Sequence, residues 1–169
     1  TNSEGNYTVD VTAKSYSGIS HFSTYFMVEK NFSYDIVRTA DTKIDPFDNP
    51  NIFNVKINIK SFVGSGQVTI KEYVPSVLNV TTDGTVSQSG DTKIIIWKKN
   101  LDANNNTYVS YTYSVPLIQP ELYTLGKIEI TQNNQPTFSE ARNWYVAVDA
   151  TKTYTLNTVG VATDWTGTT

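Results

Sequence analysis

The chain reads as all-β, an antiparallel sandwich with strand-forming extensions at its N- and C-terminal ends, and three observations carry that reading. Apolar and polar residues alternate with a period of two in one segment after another, most clearly between Gln67 and Val115. Turn signals rich in Gly, Pro, Asn and Asp return every roughly 8 to 12 residues, the rhythm of sandwiches and barrels. No stretch sustains a helical period over several turns.

Taken in order, Tyr7, Val9, Val11 and Ala13 share one face of a first strand within Gly5 to Lys14. A polar turn, Ser15 to Ser20, leads to a second strand from His21 to Lys30, with Phe22, Phe26 and Val28 expected on its inner face. Phe32 to Ala40 is a third strand, followed by a loop from Asp41 to Asn51 that holds Pro46 and Pro50. Phe53, Val55, Ile57 and Ile59 then alternate with Asn54, Lys56, Asn58 and Lys60, the pattern of a strand with one dry and one wet face. After Gly64-Ser65-Gly66, Val68 and Ile70 alternate with Thr69 and Lys71. Asp83-Gly84 marks a turn, Ile94-Ile95-Ile96-Trp97 is apolar on both faces, and Asp102 to Asn106 marks another turn. Val109, Tyr111, Tyr113 and Val115 alternate with serines and a threonine. Pro116 to Gly126 is an extended corner, Lys127 to Thr131 a short strand, and Glu140 to Val148 a further strand with Trp144, Val146 and Val148 on one face. The sequence thus divides into an N-terminal hairpin over 1–31, a main sandwich over 32–150 and a nearly uncharged, strand-prone tail over 151–169.

Composition narrows the function classes. Charged residues make up only 17% of the 169, against 38% hydrophobic, and Thr, Ser and Asn fill the deficit, which favours an ordered, polar-skinned β protein over a disordered one. Eleven Tyr, seven Phe and three Trp supply buried area without many aliphatics. A net charge of −3, with Lys98-Lys99 as the adjacent basic pair, argues against nucleic acid as a partner. No apolar run approaches the about 20 residues that cross a bilayer as a helix. No secretory leader opens the chain at Thr1, so an exported protein is expected here as its mature or an excised segment. With no cysteine there is neither a disulfide framework nor a thiolate metal site. Four Asn-X-Ser/Thr sequons, at Asn6, Asn31, Asn79 and Asn105, are candidate glycosylation sites and point toward export.

Side chains able to carry chemistry are few. His21 is the sole histidine and has no activating motif beside it, so it reads as a turn residue. Glu72 and Glu140 lie on expected strands next to aromatics, where the paired carboxylates of a glycosidase can sit, but a salt bridge of Glu140 with Arg142 is the simpler expectation. Asp41, Asp45 and Asp48, with Asn49 and Asn51, supply hard oxygen donors of the kind calcium takes, in a spacing unlike the EF-hand loop. Calcium is therefore the one cofactor to test, against a loop whose Asp and Asn cap turns. Tyr108, Tyr123 and Trp165 are candidate sugar-stacking aromatics, set against the commoner core role. A Lys–Asn or Lys–Asp isopeptide crosslink needs a buried glutamate nearby, but Lys71 and Glu72 are neighbours and face opposite ways, so no pair is nominated.

Two stretches carry a resemblance. Gly5-Asn-Tyr-Thr-Val-Asp-Val-Thr-Ala13 resembles the closing hairpin of immunoglobulin-like repeats in cell-surface proteins. Val68 to Ser76, Ile94 to Trp97, Tyr108 to Pro116, Glu121 to Gly126 and Phe138 to Trp144 together resemble a β-sandwich domain that recurs in large secreted and surface proteins of archaea and little-studied bacteria. That resemblance covers about residues 32 to 150. It implies an immunoglobulin-like sandwich in an extracellular or envelope setting and brings no catalytic residues with it.

The expectation is a non-enzymatic subunit of a surface filament, pilus-like, or of a surface layer, whose partners are copies of itself. A strand donated into a neighbour's open sheet edge satisfies backbone hydrogen bonds and fills side-chain pockets. Tyr7, Val9, Val11 and Ala13 form the preferred assembly strand, with Thr153 to Val161 as the second candidate. The alternative is an adhesion module that binds cell-surface carbohydrate or protein.

Overall fold

The computed structural model describes residues 3–133 and 135–149. Through them run β1 (Gly5–Ser15), β2 (Gly18–Val28), β3 (Tyr34–Ala40), β4 (Lys43–Ile44), β5 (Phe53–Ser61), β6 (Gly66–Pro75), β7 (Asn79–Thr82), β8 (Thr85–Ser89), β9 (Thr92–Leu101), β10 (Asn106–Ser114), β11 (Glu121–Leu125), β12 (Glu129–Gln132), β13 (Phe138–Ser139) and β14 (Trp144–Val148). One layer is the sheet β3-β5-β10-β7. The other is built from β13-β12-β6-β9-β8 and from the small sheet β11-β14-β4, in which β4 and β14 run parallel. β1 and β2 form a two-stranded sheet of their own.

The alternation read in β5 works as expected, since Phe53, Val55, Ile57 and Ile59 are buried and Asn54, Lys56 and Asn58 face outward. β10 continues that face, Tyr111 opposite Val55 and Tyr113 opposite Phe53. From the second layer β6 sends in Val68, Ile70 and Val74, β9 Ile95, Trp97 and Leu101, β12 Ile130, and β14 Val146 and Val148, and all of these merge into one apolar cluster. Each such side chain contributes about 1.5 to 3 kcal/mol by leaving water. Trp97 is fixed at its polar end, where Nε1 donates to Asp83 Oδ1 at 2.9 Å and to Thr82 Oγ1 at 3.1 Å. The Asp83-Gly84 turn is thus bound to the core it borders.

Gly126 is required by close approach. Its N–H donates to the Tyr73 carbonyl, and a Cβ built on it meets the Tyr73 Cβ and carbonyl oxygen at 2.5 Å. This contact draws the end of β11 against β6.

Three expectations are corrected. The second strand spans Gly18–Val28, so His21 lies in mid-strand, hydrogen-bonded through Nδ1 with Thr12, and is not a turn residue. Phe22 and Phe26, expected on an inner face, are half-exposed, because no second layer covers that face of the hairpin among the described residues. The strand expected over Glu140 to Val148 begins only at Trp144, because Glu140 turns inward to accept from the Ile128 N–H and from Arg38. The tail over 151–169, with the donor candidate 153–161 and Trp165, lies outside the described residues.

Candidate functional site

The N-terminal hairpin pairs along its whole length, from Gly5 opposite Val28 to Ser15 opposite Gly18, around the two-residue turn Tyr16-Ser17. Its register places the four sequence-nominated residues Tyr7, Val9, Val11 and Ala13 on one face, with Phe26 opposite Tyr7 and Phe22 opposite Val11. The Tyr7 and Phe26 rings stack at 5.3 Å. Val9, Val11, Phe22 and Phe26 keep 40, 48, 50 and 44% of their surface in water. The opposite face mixes Ile19, Tyr25 and Met27 with polar residues, Ser23 donating to Asp10 and Thr12 bonded to His21.

Among the described residues few side chains tie this hairpin to the sandwich. The Phe22 ring meets Tyr145 edge-on at 6.3 Å, and Lys127 Nζ lies 5.8 Å from the Tyr25 ring centre. The Lys30 N–H donates to Glu4 Oε1 at 2.8 Å and closes the open end of the hairpin on itself. Between the hairpin and the sandwich runs a groove of about 720 Å³ walled by Phe26, Phe32, Tyr34 and Phe138, with Glu140 and Arg142 on its far side.

A second constellation lies inside the sandwich. Arg38 occupies an inward position of β3, in phase with Tyr34, Ile36 and Ala40. Its Nη2 donates to Glu72 Oε2 at 2.7 Å, to Glu140 Oε2 at 3.2 Å and to the Gly126 carbonyl at 3.3 Å. Glu72 also accepts from the Tyr111 hydroxyl at 3.1 Å, and Glu140 from the Ile128 N–H at 2.6 Å. The guanidinium carbon lies 5.9 Å from the centre of the Trp144 ring. The Arg38 side chain is 3% exposed, Glu72 0% and Glu140 17%.

Burial pushes the Glu72 carboxyl up to about 7, against the pull of Arg38. Burial raises Glu140 as well, again opposed by Arg38. For Arg38 burial alone lowers the pKa, but Glu72 and Glu140 outweigh it and the net direction is upward. Tyr111 is raised by burial and by the Glu72 charge. The cluster is a cross-brace between the layers, joining β3, β6, β10 and the segments at 126–128 and 140. Glu72 is sealed from solvent, so the two nominated carboxylates do not flank an open cleft. Arg142, the expected partner of Glu140, is exposed, and the hydrogen-bonded cation is Arg38. The signal missed in the sequence was an arginine in phase with the apolar face of β3.

The remaining nominated residues are scattered. Asp41, Asp45 and Asp48 line one hollow of about 370 Å³ with Lys43 and Asp149. There Asp45 Oδ1 accepts from the Phe47 N–H at 2.9 Å, and Lys43 pairs with Asp149 at 3.0 Å. Among the described residues no three His, Cys, Asp or Glu side chains stand close enough together to hold a metal ion. Asn6, Asn31, Asn79 and Asn105 are all exposed. Tyr108 is 60% exposed on the outer face of β10, with Lys56 Nζ 4.8 Å from its ring centre, whereas Tyr123 packs against the core. Among the described residues no helix is long and apolar enough to cross a membrane.

No protein-family model matches the chain, and no curated protein matches it. Among solved structures it is similar to a non-cellulosomal cohesin from the archaeon Archaeoglobus fulgidus, at TM-score 0.43 and 14% identity over 68% of this chain and 91% of that one. It is similar to a β-glucosidase from Listeria innocua at TM-score 0.42 and 16% identity over 69% of this chain, and it spans only 16% of the length of that enzyme. The collagen-binding domain of the Erysipelothrix rhusiopathiae surface protein RspB matches at TM-score 0.33 and 12% identity, over 88% of this chain and 60% of that one. At such scores these likenesses carry no argument about activity or partner.

Proposed function

We propose that the chain is a non-enzymatic, extracellular structural protein whose copies join through the hairpin β1–β2 into a surface filament or layer. The observation that supports this reading is the apolar hairpin face of Tyr7, Val9, Val11, Phe22 and Phe26, held away from the core and half in water. A two-stranded sheet is marginal in water by itself. Exposed apolar patches of this kind are characteristic of interaction surfaces. Exposed sequons at Asn6, Asn31, Asn79 and Asn105 suit an exported, glycosylated protein. Negative-stain microscopy of the full chain tests the proposal. Filaments or sheets are expected for the native protein and their loss for Phe22→Lys, which places a charge on the apolar face; a native chain that stays monomeric at every concentration refutes it.

A second reading, an adhesion module for carbohydrate, is favoured by one feature. Tyr108 is exposed on a polar outer face among Asn54, Lys56, Asn58, Ser110 and Thr112, an aromatic ring on which a sugar can stack. Glycan-array binding that Tyr108→Ala abolishes supports that reading; no binding to any glycan removes it.

A further inference from the structure

We propose that β1 is a self-pairing edge: two copies join by laying β1 antiparallel against β1 of a second copy, about a twofold axis at Val9. The inference rests on the hairpin being the assembly element and adds to it the partner surface and the register. Among the described residues β1 is hydrogen-bonded on one side only, to β2, and every residue of it except Tyr7 is exposed. The strand contains no proline and only one acidic and one basic residue, Asp10 and Lys14, so it lacks the usual devices that keep sheet edges apart.

The turn decides which backbone groups are available. In a two-residue hairpin the residues flanking the turn, here Ser15 and Gly18, exchange ladder hydrogen bonds, and the pattern alternates from there. Ala13, Val11, Val9 and Tyr7 therefore aim their N–H and C=O groups at β2. Asn6, Thr8, Asp10, Thr12 and Lys14 aim theirs outward, at the open edge.

Three requirements then select a register. Outward-bonding residues must face one another, the apolar face must continue across the joint, and the charges must match. Val9 opposite Val9 of the partner subunit meets all three. Tyr7 then faces Val11 of the partner subunit on the apolar side. Thr8 faces Asp10 of the partner subunit, Asn6 faces Thr12 of the partner subunit, and Glu4, just before the strand, faces Lys14 of the partner subunit. The last pair occurs twice by symmetry, and opposite charges directly across an antiparallel pair attract. Centring the axis on Asp10 sets two carboxylates against each other, and centring it on Val11 shortens the overlap and loses the Glu4–Lys14 pairs. The product is a four-stranded sheet, β2-β1-β1-β2, with its apolar face doubled. A twofold contact closes on itself, so a filament or layer also uses a second, different contact.

The chain has no cysteine, which makes disulfide trapping selective. Residues facing each other in a non-hydrogen-bonded antiparallel pair have Cα atoms about 4.5 Å apart, within the about 4.4 to 6.8 Å that a disulfide spans. Full-length Val9→Cys is expected to oxidise to a covalent dimer at least about tenfold faster than Val11→Cys, whose counterpart across the joint is Tyr7. Val9 is 40% exposed, so neither folding nor the core is at stake. Lys14→Glu and Glu4→Lys, each alone, are expected to weaken dimerisation about tenfold, and an equimolar mixture of the two restores it, because both ionic pairs are then complementary. Equal cross-linking at the two positions, or no rescue in the mixture, overturns the register. If the native chain assembles and Val9→Cys does not cross-link, this joint is wrong while the assembly role stands. A native chain that neither assembles nor cross-links removes both.

Discussion

Replacing Arg38 with methionine removes the guanidinium that two buried carboxylates share, and the cost is set by what remains. Among the described residues Glu72, 0% exposed, keeps only the Tyr111 hydroxyl as a donor, and Glu140, at 17%, keeps the Ile128 N–H. Leaving one member of a buried ion pair without its partner typically costs about 3 to 5 kcal/mol. That cost is limited by protonation, since a neutral carboxyl tolerates burial. Burial already holds Glu72 at about 7 with Arg38 in place, and losing the cation moves it further up. The Arg38→Met penalty is therefore expected to be about 4 kcal/mol at pH 8 and about half that at pH 5. The native protein has a related dependence. A carboxyl raised from 4.5 to about 7 binds its proton more tightly folded than unfolded, so its contribution is most favourable below pH 4.5 and is lost as pH rises to 7. Glu140, raised in the same direction, adds to the trend. For Glu72 alone the loss amounts to about 3 kcal/mol. Glu72→Gln keeps a hydrogen-bonding group between Arg38 and Tyr111 and is expected to flatten this slope at a cost below about 1 kcal/mol. Urea unfolding between pH 5 and pH 8, followed by tryptophan fluorescence, measures all three proteins. An Arg38→Met penalty under about 1 kcal/mol at pH 8, or one that does not grow with pH, would refute the reasoning.

Two further outcomes follow from local geometry. Gly126→Ala brings a Cβ to 2.5 Å from Tyr73, and because the obstacle is partly backbone, β11 and β6 must separate; a loss of about 2 to 3 kcal/mol is expected in thermal or urea unfolding, and a neutral result shows that the corner yields. Adding millimolar calcium, or a chelator, is expected to leave the melting temperature unchanged, since Asp41, Asp45 and Asp48 do not converge on one point and Lys43 lies in the same hollow. A rise of several degrees in calcium alone shows that the loop closes round the ion.

Local pattern made most of the sandwich legible. In β5 and β10 the side-chain period matches the pleat, so burial of Val55, Ile57, Tyr111 and Tyr113 was readable from alternation. Asp83-Gly84 and Asp102 to Asn106 marked real turns, because their residues supply local capping and backbone freedom, and Asn104 indeed has φ 62°. The hairpin and its four-residue apolar face were readable for the same reason. Its exposure was not, because alternation says which residues share a face and nothing about what covers that face. Arg38 was missed, as a charged residue reads as solvated unless its partners are known. Those partners lie far along the chain, at Glu72 on β6 and at Glu140 beyond β13.

Sequence alone thus determined the longer strands, which of their residues share a face, and the main turns, since each depends on neighbours a few residues apart. The tertiary structure decided the strand orders β3-β5-β10-β7 and β13-β12-β6-β9-β8, the separation of the hairpin from the core, and the sharing of one guanidinium by two carboxylates. These depend on which surfaces meet across the layers, and a charge is stable in the low-dielectric interior only where the fold brings its counter-charge within hydrogen-bonding distance.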